Sequence, residues 1–161
     1  MTEQRVHLKI GEIKVLSAEG TLFSIGLGSC VAVALYDARQ KVGGLAHVML
    51  PEPLANPNHT PGRSASTAIP EMIRIMEAAG ARRRGMYARI VGGSAMFESV
   101  LPTEGRRLGV RNIEAVKLAL SLAQIPLRGE DVGGTFGRSV YFDASDGRVT
   151  VRAVKRDDVI L

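Results

Sequence analysis

Tryptophan is absent from this sequence, and only three tyrosines and four phenylalanines stand among its 161 residues. A core with so few rings must be built from Val, Leu, Ile, Ala and Met. Recognition of nucleic acid by stacking bases on aromatic side chains has little to work with, so a nucleic-acid partner is not expected. The chain holds one cysteine, Cys30, which excludes an internal disulfide framework and any zinc site made from several thiolates. No apolar run approaches the ~18 residues that span a bilayer. The longest is Val31-Ala32-Val33-Ala34-Leu35-Tyr36, so membrane insertion is not expected. The first residues, Met1 to Arg5, are polar and lead into no signal-peptide core, which makes the cytoplasm the expected location and keeps the lone thiol reduced.

What is present fits one globular domain over residues 1–161, expected to be a monomer. Apolar residues make up 45% and charged residues 23%, and 21 basic against 16 acidic side chains leave a net charge of +5. The pattern predicts strands over Ile10–Ser17 and Leu22–Ile25, joined at Ala18-Glu19-Gly20. It then predicts a strand over Cys30–Tyr36, a turn at Asp37–Gln40 and a returning strand over Lys41–Leu50. Pro51 to Gly62 holds four prolines and reads as a long surface loop. Ile69, Met72, Ile73 and Met76 fall on one face of a helix beginning near Ser66, and Ile113, Val116, Leu120 and Ala123 mark a second, ended by Pro126. Met86–Val91 reads as a buried strand, Glu130-Asp131 as a structural turn, and Ser139–Phe142 with Arg148–Val154 as a hairpin turned at Ser145-Asp146-Gly147. The fold class expected is α+β, a layered sandwich of mainly antiparallel strands with two principal helices packed outside.

The chemistry gathers at the cysteine. A thiol attacks as thiolate, and an imidazole within hydrogen-bond reach can take its proton and return it to a leaving group. Centring the hairpin loop between Ala38 and Arg39 sets Cys30 opposite His47, on one face of the pair; a bulge at Gly43-Gly44 would break that register. Gly26, Gly28 and Ser29 precede the thiol, where flexible backbone can turn N–H groups toward a reacting carbonyl, and Ser24 offers a hydroxyl to orient the ring. Catalysis of this kind needs no metal and no organic cofactor. Against it stands the commoner use of a lone Cys as a small buried hydrophobe, and of His as a packed or solvated residue, a description that suits His7 and His59.

Several strings, taken in order, resemble the CheD family of chemoreceptor glutamine deamidases. They are Gly26-Leu27-Gly28-Ser29-Cys30-Val31-Ala32-Val33, Gly44-Leu45-Ala46-His47-Val48-Met49-Leu50-Pro51, Gly92-Gly93-Ser94-Ala95-Met96-Phe97, Gly109-Val110-Arg111-Asn112-Ile113-Glu114-Ala115-Val116, and Glu130-Asp131-Val132-Gly133-Gly134 continuing into Gly137-Arg138 and Phe142-Asp143. The resemblance implies hydrolysis of receptor glutamine side chains to glutamate, with related activity on glutamyl methyl esters. It implies Cys30 as nucleophile, His47 as general base and acid, and Ser24 at a place where the family commonly has Thr. Methyl-accepting chemoreceptors are the implied substrate, and a CheC phosphatase is an implied partner. Ahead of the first helix the family often carries a Tyr and an Asp, whereas this chain has Arg63-Ser64-Ala65-Ser66. Two rivals stand beside this expectation: an interaction module that binds CheC with little catalysis of its own, and a basic nucleic-acid binder. The runs Arg82-Arg83-Arg84 and Arg106-Arg107 are either a docking surface for an acidic receptor or simply a solvated face.

Overall fold

A computed structural model describes residues 3–55, 59–96 and 107–161. Pro57, Phe97 and Arg106, singled out above, lie outside the described residues. The strands are β1 (Arg5–His7), β2 (Ile13–Ser17), β3 (Thr21–Leu27), β4 (Val31–Asp37), β5 (Val42–Val48), β6 (Met86–Gly92), β7 (Leu127–Val132), β8 (Arg138–Asp143), β9 (Val149–Arg152) and β10 (Val159–Ile160). Two helices, α1 (Ala65–Ala78) and α2 (Leu108–Leu122), are present among the described residues.

The strands form two sheets, ordered β2-β5-β4-β6-β7 and β1-β3-β8-β9-β10. Most neighbours are antiparallel; β1 with β3 and β6 with β7 are the parallel pairs. Strand alternation explains the layering, because successive side chains point to opposite faces. From β4, Val31, Val33 and Leu35 join Ile69, Met72, Ile73 and Met76 of α1 and Val116 and Leu120 of α2 in one core. Ala32, Ala34 and Tyr36 point the other way and pack with Leu22, Val140 and Phe142 of the second sheet. The result is helices, sheet, sheet: the α+β sandwich with both helices outside that the pattern predicts.

Several local expectations need correction. The loop of the β4–β5 hairpin is centred between Arg39 and Gln40, and its last strand pair is Asp37 with Val42. The loop keeps four residues but lies one position further along the chain, and Asp37 fixes it there by accepting from the amides of Arg39 and Gln40, with Lys41 in the left-handed region at φ 52°. His47 therefore faces Ala32 rather than Cys30. A slide of two residues preserves the face, so Cys30 and His47 stay on the same side of the hairpin. The pairing through Gly43-Gly44 runs unbroken. Register shifts occur elsewhere, in β3, where three steps from Ser24 to Leu27 oppose two steps of β8, and between β6 and β7 at Ala88 and Arg89.

Glu130-Asp131 is not a turn but part of β7, a strand whose alternation is blurred by its charged residues. Glu130 pairs with Lys117, and Asp131 with the buried Arg138. The β2–β3 connection joins strands of different sheets, with Ala18 at φ 71°. The inter-sheet core also uses rings after all: Tyr36 meets Tyr87 and Phe142 edge-on, at centroid distances of 6.0 and 5.9 Å.

Candidate active site

Cys30 occupies the residue before β4 and packs partly buried against the inter-sheet core. His47, only 5% exposed, stands near the end of β5. Ser24 comes from the second sheet, and its Oγ lies 2.6 Å from Nδ1 of His47 and 2.9 Å from the carbonyl oxygen of Leu8. The second contact decides the first. A carbonyl can only accept, so the single hydroxyl proton of Ser24 goes to Leu8, and Oγ must then accept from Nδ1–H. That assigns the proton to Nδ1 and leaves Nε2 as a free base. Leu8, fully buried, was not singled out in the sequence; a main-chain carbonyl leaves no mark in residue identity.

Burial acts on both titratable groups by penalising their charged forms. It pushes the Cys30 thiol above its ordinary value of 9.0, an effect opposed by Cys30's own amide. It pulls the His47 imidazole below 6.5; the Leu8 carbonyl opposes this, and His7 adds to it. The resting pair is therefore a neutral thiol beside a neutral imidazole. Among the described residues no hydrogen bond joins them directly.

The loop before the thiol is held by distant parts of the chain. Ser94 N–H donates to the Gly28 carbonyl at 2.9 Å, Gly93 N–H to Cys30 at 2.8 Å, and the Asn112 side-chain amide to Ser29 at 2.9 Å. Each pinned carbonyl shares a rigid peptide plane with the following N–H, which points the opposite way. The amides of Ser29 and Cys30 are thus aimed, and among the described residues neither donates to another residue. Gly28 contributes its carbonyl to this scaffold rather than a side chain. Glycine is required behind it: a Cβ on Gly109 would sit 2.6 Å from the Gly93 oxygen, so the start of α2 could not approach. The Gly92-Gly93-Ser94 and Gly109–Asn112 strings stand out in the sequence without a role; here they brace the thiol loop.

An open cleft of about 660 Å³ adjoins this loop, lined by Ile25, Met96, Phe136 and Val154 among others. Gly28 backs directly onto Met96, whose sulfur would lie 3.2 Å from an added Cβ. The rest of the predicted polar residues fall elsewhere. His7 stacks on Phe23, and His59 bonds Ser64 and Thr67. Arg82–Arg84 pack beside Asp37, at the far end of β4 from Cys30, roughly 20 Å away for a strand of this length. That position suits a solvated face, not a surface flanking the thiol. Among the described residues, no three His, Cys, Asp or Glu side chains converge as metal ligands, and no helix is long and apolar enough to cross a membrane.

Comparison with known proteins identifies the family. Residues 49–153 match the family model described as CheD chemotactic sensory transduction. Proteins named "Probable chemoreceptor glutamine deamidase CheD" are similar over almost the whole chain. The one from Clostridium botulinum (strain Alaska E43 / Type E3) is 43% identical over 155 residues, 96% of each chain. That from Methanococcus vannielii is 41% identical over 147 residues, 91% of this chain and 94% of its own. That from Clostridium novyi is 38% identical over 155 residues, again 96% of each. The family model begins two residues after His47, but the relatives' coverage takes in the thiol loop and both strands of its hairpin. The chain belongs to the CheD family.

Proposed function

We propose that this protein hydrolyses the side-chain amide of glutamines in the cytoplasmic part of chemoreceptors, giving glutamate and ammonia, with Cys30 as nucleophile. The observation that carries the reading is the relay from the Leu8 carbonyl through Ser24 to His47, which leaves Nε2 unprotonated on the face that bears Cys30.

In the first half-reaction Nε2 takes the thiol proton as Sγ attacks the amide carbon. The oxyanion of the tetrahedral intermediate is met by the amides of Ser29 and Cys30. The proton on Nε2 then passes to the nitrogen, the C–N bond breaks, ammonia leaves and a thioester remains. In the second half-reaction water gives a proton to Nε2 and attacks the thioester. The C–S bond breaks, and the thiolate recovers its proton. A glutamyl methyl ester follows the same course with methanol as the leaving group. Ser24 holds the ring's tautomer throughout, as a Thr hydroxyl at this place would. No step calls on a cofactor.

The open cleft beside the thiol loop suits a protein surface better than a small molecule. Its rim carries Ile25 at 56% exposure and Val154 at 86%, apolar side chains that a docked helix would cover. The cytoplasm is the matching location, a single domain with a monomeric state the matching organisation, and a CheC phosphatase the matching partner. None of the chemistry above depends on that partner.

The test is incubation with the cytoplasmic domain of a chemoreceptor, followed by mass spectrometry of receptor peptides, with Cys30→Ala in parallel. Amide-to-acid conversion at discrete glutamines with the wild type alone is the expected result. Receptor binding with no conversion would favour the interaction module instead.

A further inference from the structure

We propose that Asn112 is a positioning residue that sets Cys30 against His47 and aims the Cys30 amide at the reacting carbonyl. This rests on the Cys30–His47 reading above. Asn112 lies in the second turn of α2 and is fully buried. Its Nδ2 donates both protons, one to the carbonyl of Ser29 at 2.9 Å and one to that of Met49 at 3.1 Å. Ser29 immediately precedes the thiol residue, and Met49 follows the imidazole residue by two. One side chain thus ties the nucleophile's loop to the strand that carries the base, at the open end of the hairpin where no ladder bond does so.

The chemistry of the two acceptors dictates the residue. Both are carbonyls, so the group between them must offer two N–H bonds from one short side chain, and among the short uncharged side chains only asparagine does. Serine offers one donor, and an ionised aspartate offers none. The Ser29 carbonyl also shares its peptide plane with the Cys30 N–H, so Nδ2 fixes the direction of a proposed oxyanion donor from behind. Among the described residues Asn112 Oδ1 is buried without a hydrogen-bond partner, so it is the two N–H bonds of the side chain that hold it in place. Met49 is fixed from its other side as well: its amide and that of Leu50 both donate to the Arg63 carbonyl, at 2.9 and 3.0 Å. The clamp therefore works against a stationary anchor.

The experiment compares wild type, Asn112→Ala, Asn112→Ser, His47→Ala and the His47→Ala/Asn112→Ala double variant. Two readouts are followed: receptor deamidation, split into kcat and KM, and the pH profile of Cys30 alkylation by iodoacetamide, which needs no receptor. A misplacement near 1 Å costs about 10²-fold in rate, so Asn112→Ala should lose kcat on that order with KM unchanged. Its alkylation profile should lose the imidazole-dependent limb, as that of His47→Ala does. The double variant should be no slower than His47→Ala, because both changes disable one device. Asn112→Ser, with one donor in less volume, should lose roughly tenfold, the order expected for one lost hydrogen bond; it decides the matter if Asn112→Ala fails to fold by circular dichroism. An Asn112 variant that folds and keeps wild-type kcat and alkylation profile overturns the inference, as does a double variant whose losses multiply. If His47→Ala itself leaves both readouts unchanged, the Cys30–His47 reading fails instead.

Discussion

The two faces of the β4–β5 hairpin are built from alternate residues of the same short strands, yet they do different work. Toward the helices stand Val31, Val33, Leu35, Val42, Ala46 and Val48, all buried in an apolar cluster, with the polar Asp37 and Asn112 buried toward its two ends. Toward the second sheet stand Ala32, Ala34 and Tyr36, and at one end His47 and the thiol of Cys30. The small side chains on that face let β3 come close enough for Ser24 to reach the imidazole. The contrast teaches that packing and the proposed chemistry are divided by the pleat: one face holds the sheet to its helices, and the other places polar atoms where a second sheet supplies their partners.

That division can be broken one face at a time. The largest effect is expected from Cys30→Ala, which should remove receptor deamidation while leaving the melting temperature near that of the wild type, since the thiol is only partly buried at the end of its face. His47→Ala should cost at least ~10²-fold in kcat, the lower range for loss of a general base. The opposite face should behave the other way. Ile73→Ala, on the buried side of α1, should cost about 2–5 kcal/mol in chemical denaturation while the folded fraction keeps its kcat. A large fall in kcat at full folding would blur the division.

Smaller effects sharpen it. Ser24→Ala removes the acceptor that holds the Nδ1 proton and should lower kcat by about tenfold, the weight of one hydrogen bond in a partly closed site. Ser24→Thr, which keeps the hydroxyl, should retain activity. The pH dependence follows from the two shifts. In the proposed mechanism the base is neutral, and burial lowers the His47 pKa, so kcat/KM should fall only when pH drops below 6.5 and hold level across neutrality. Stability should move in the same direction. An imidazole that takes its proton more readily unfolded than folded destabilises the protein as pH falls through and below 6.5. An acid limb above 6.5 would show a charged partner beside the ring that the geometry lacks.

Much of this was legible in the residues. Valine-rich alternation, the apolar stripes of both helices and the tail hairpin were plain because each follows a single period. The register of the hairpin that carries Cys30 and His47 was legible only in its parity: the side chain of Asp37 moves the turn one position along the chain, which pattern alone does not reveal, but a slide of two residues cannot exchange faces. β7 was hidden because charged residues needed for pairing with Lys117 and Arg138 interrupt its alternation. Cys30, His47 and Ser24 could be named as candidates, whereas Leu8 could not, since its part is played by the main chain. Gly93, Gly109 and Asn112 were visible as motifs. Their service to the thiol loop depends on a close approach between α2 and the end of β6 that only tertiary structure displays.

The claim at the centre is that Cys30 forms a thioester with the receptor glutamine. Hydroxylamine, added during turnover, competes with water for a thioester and turns the receptor side chain into a glutamyl hydroxamate, detectable by mass spectrometry. The account predicts hydroxamate at the same glutamines that become glutamate, rising with hydroxylamine concentration and absent with Cys30→Ala. Continued deamidation by Cys30→Ala, or deamidation by the wild type with no hydroxamate at any concentration, would contradict it.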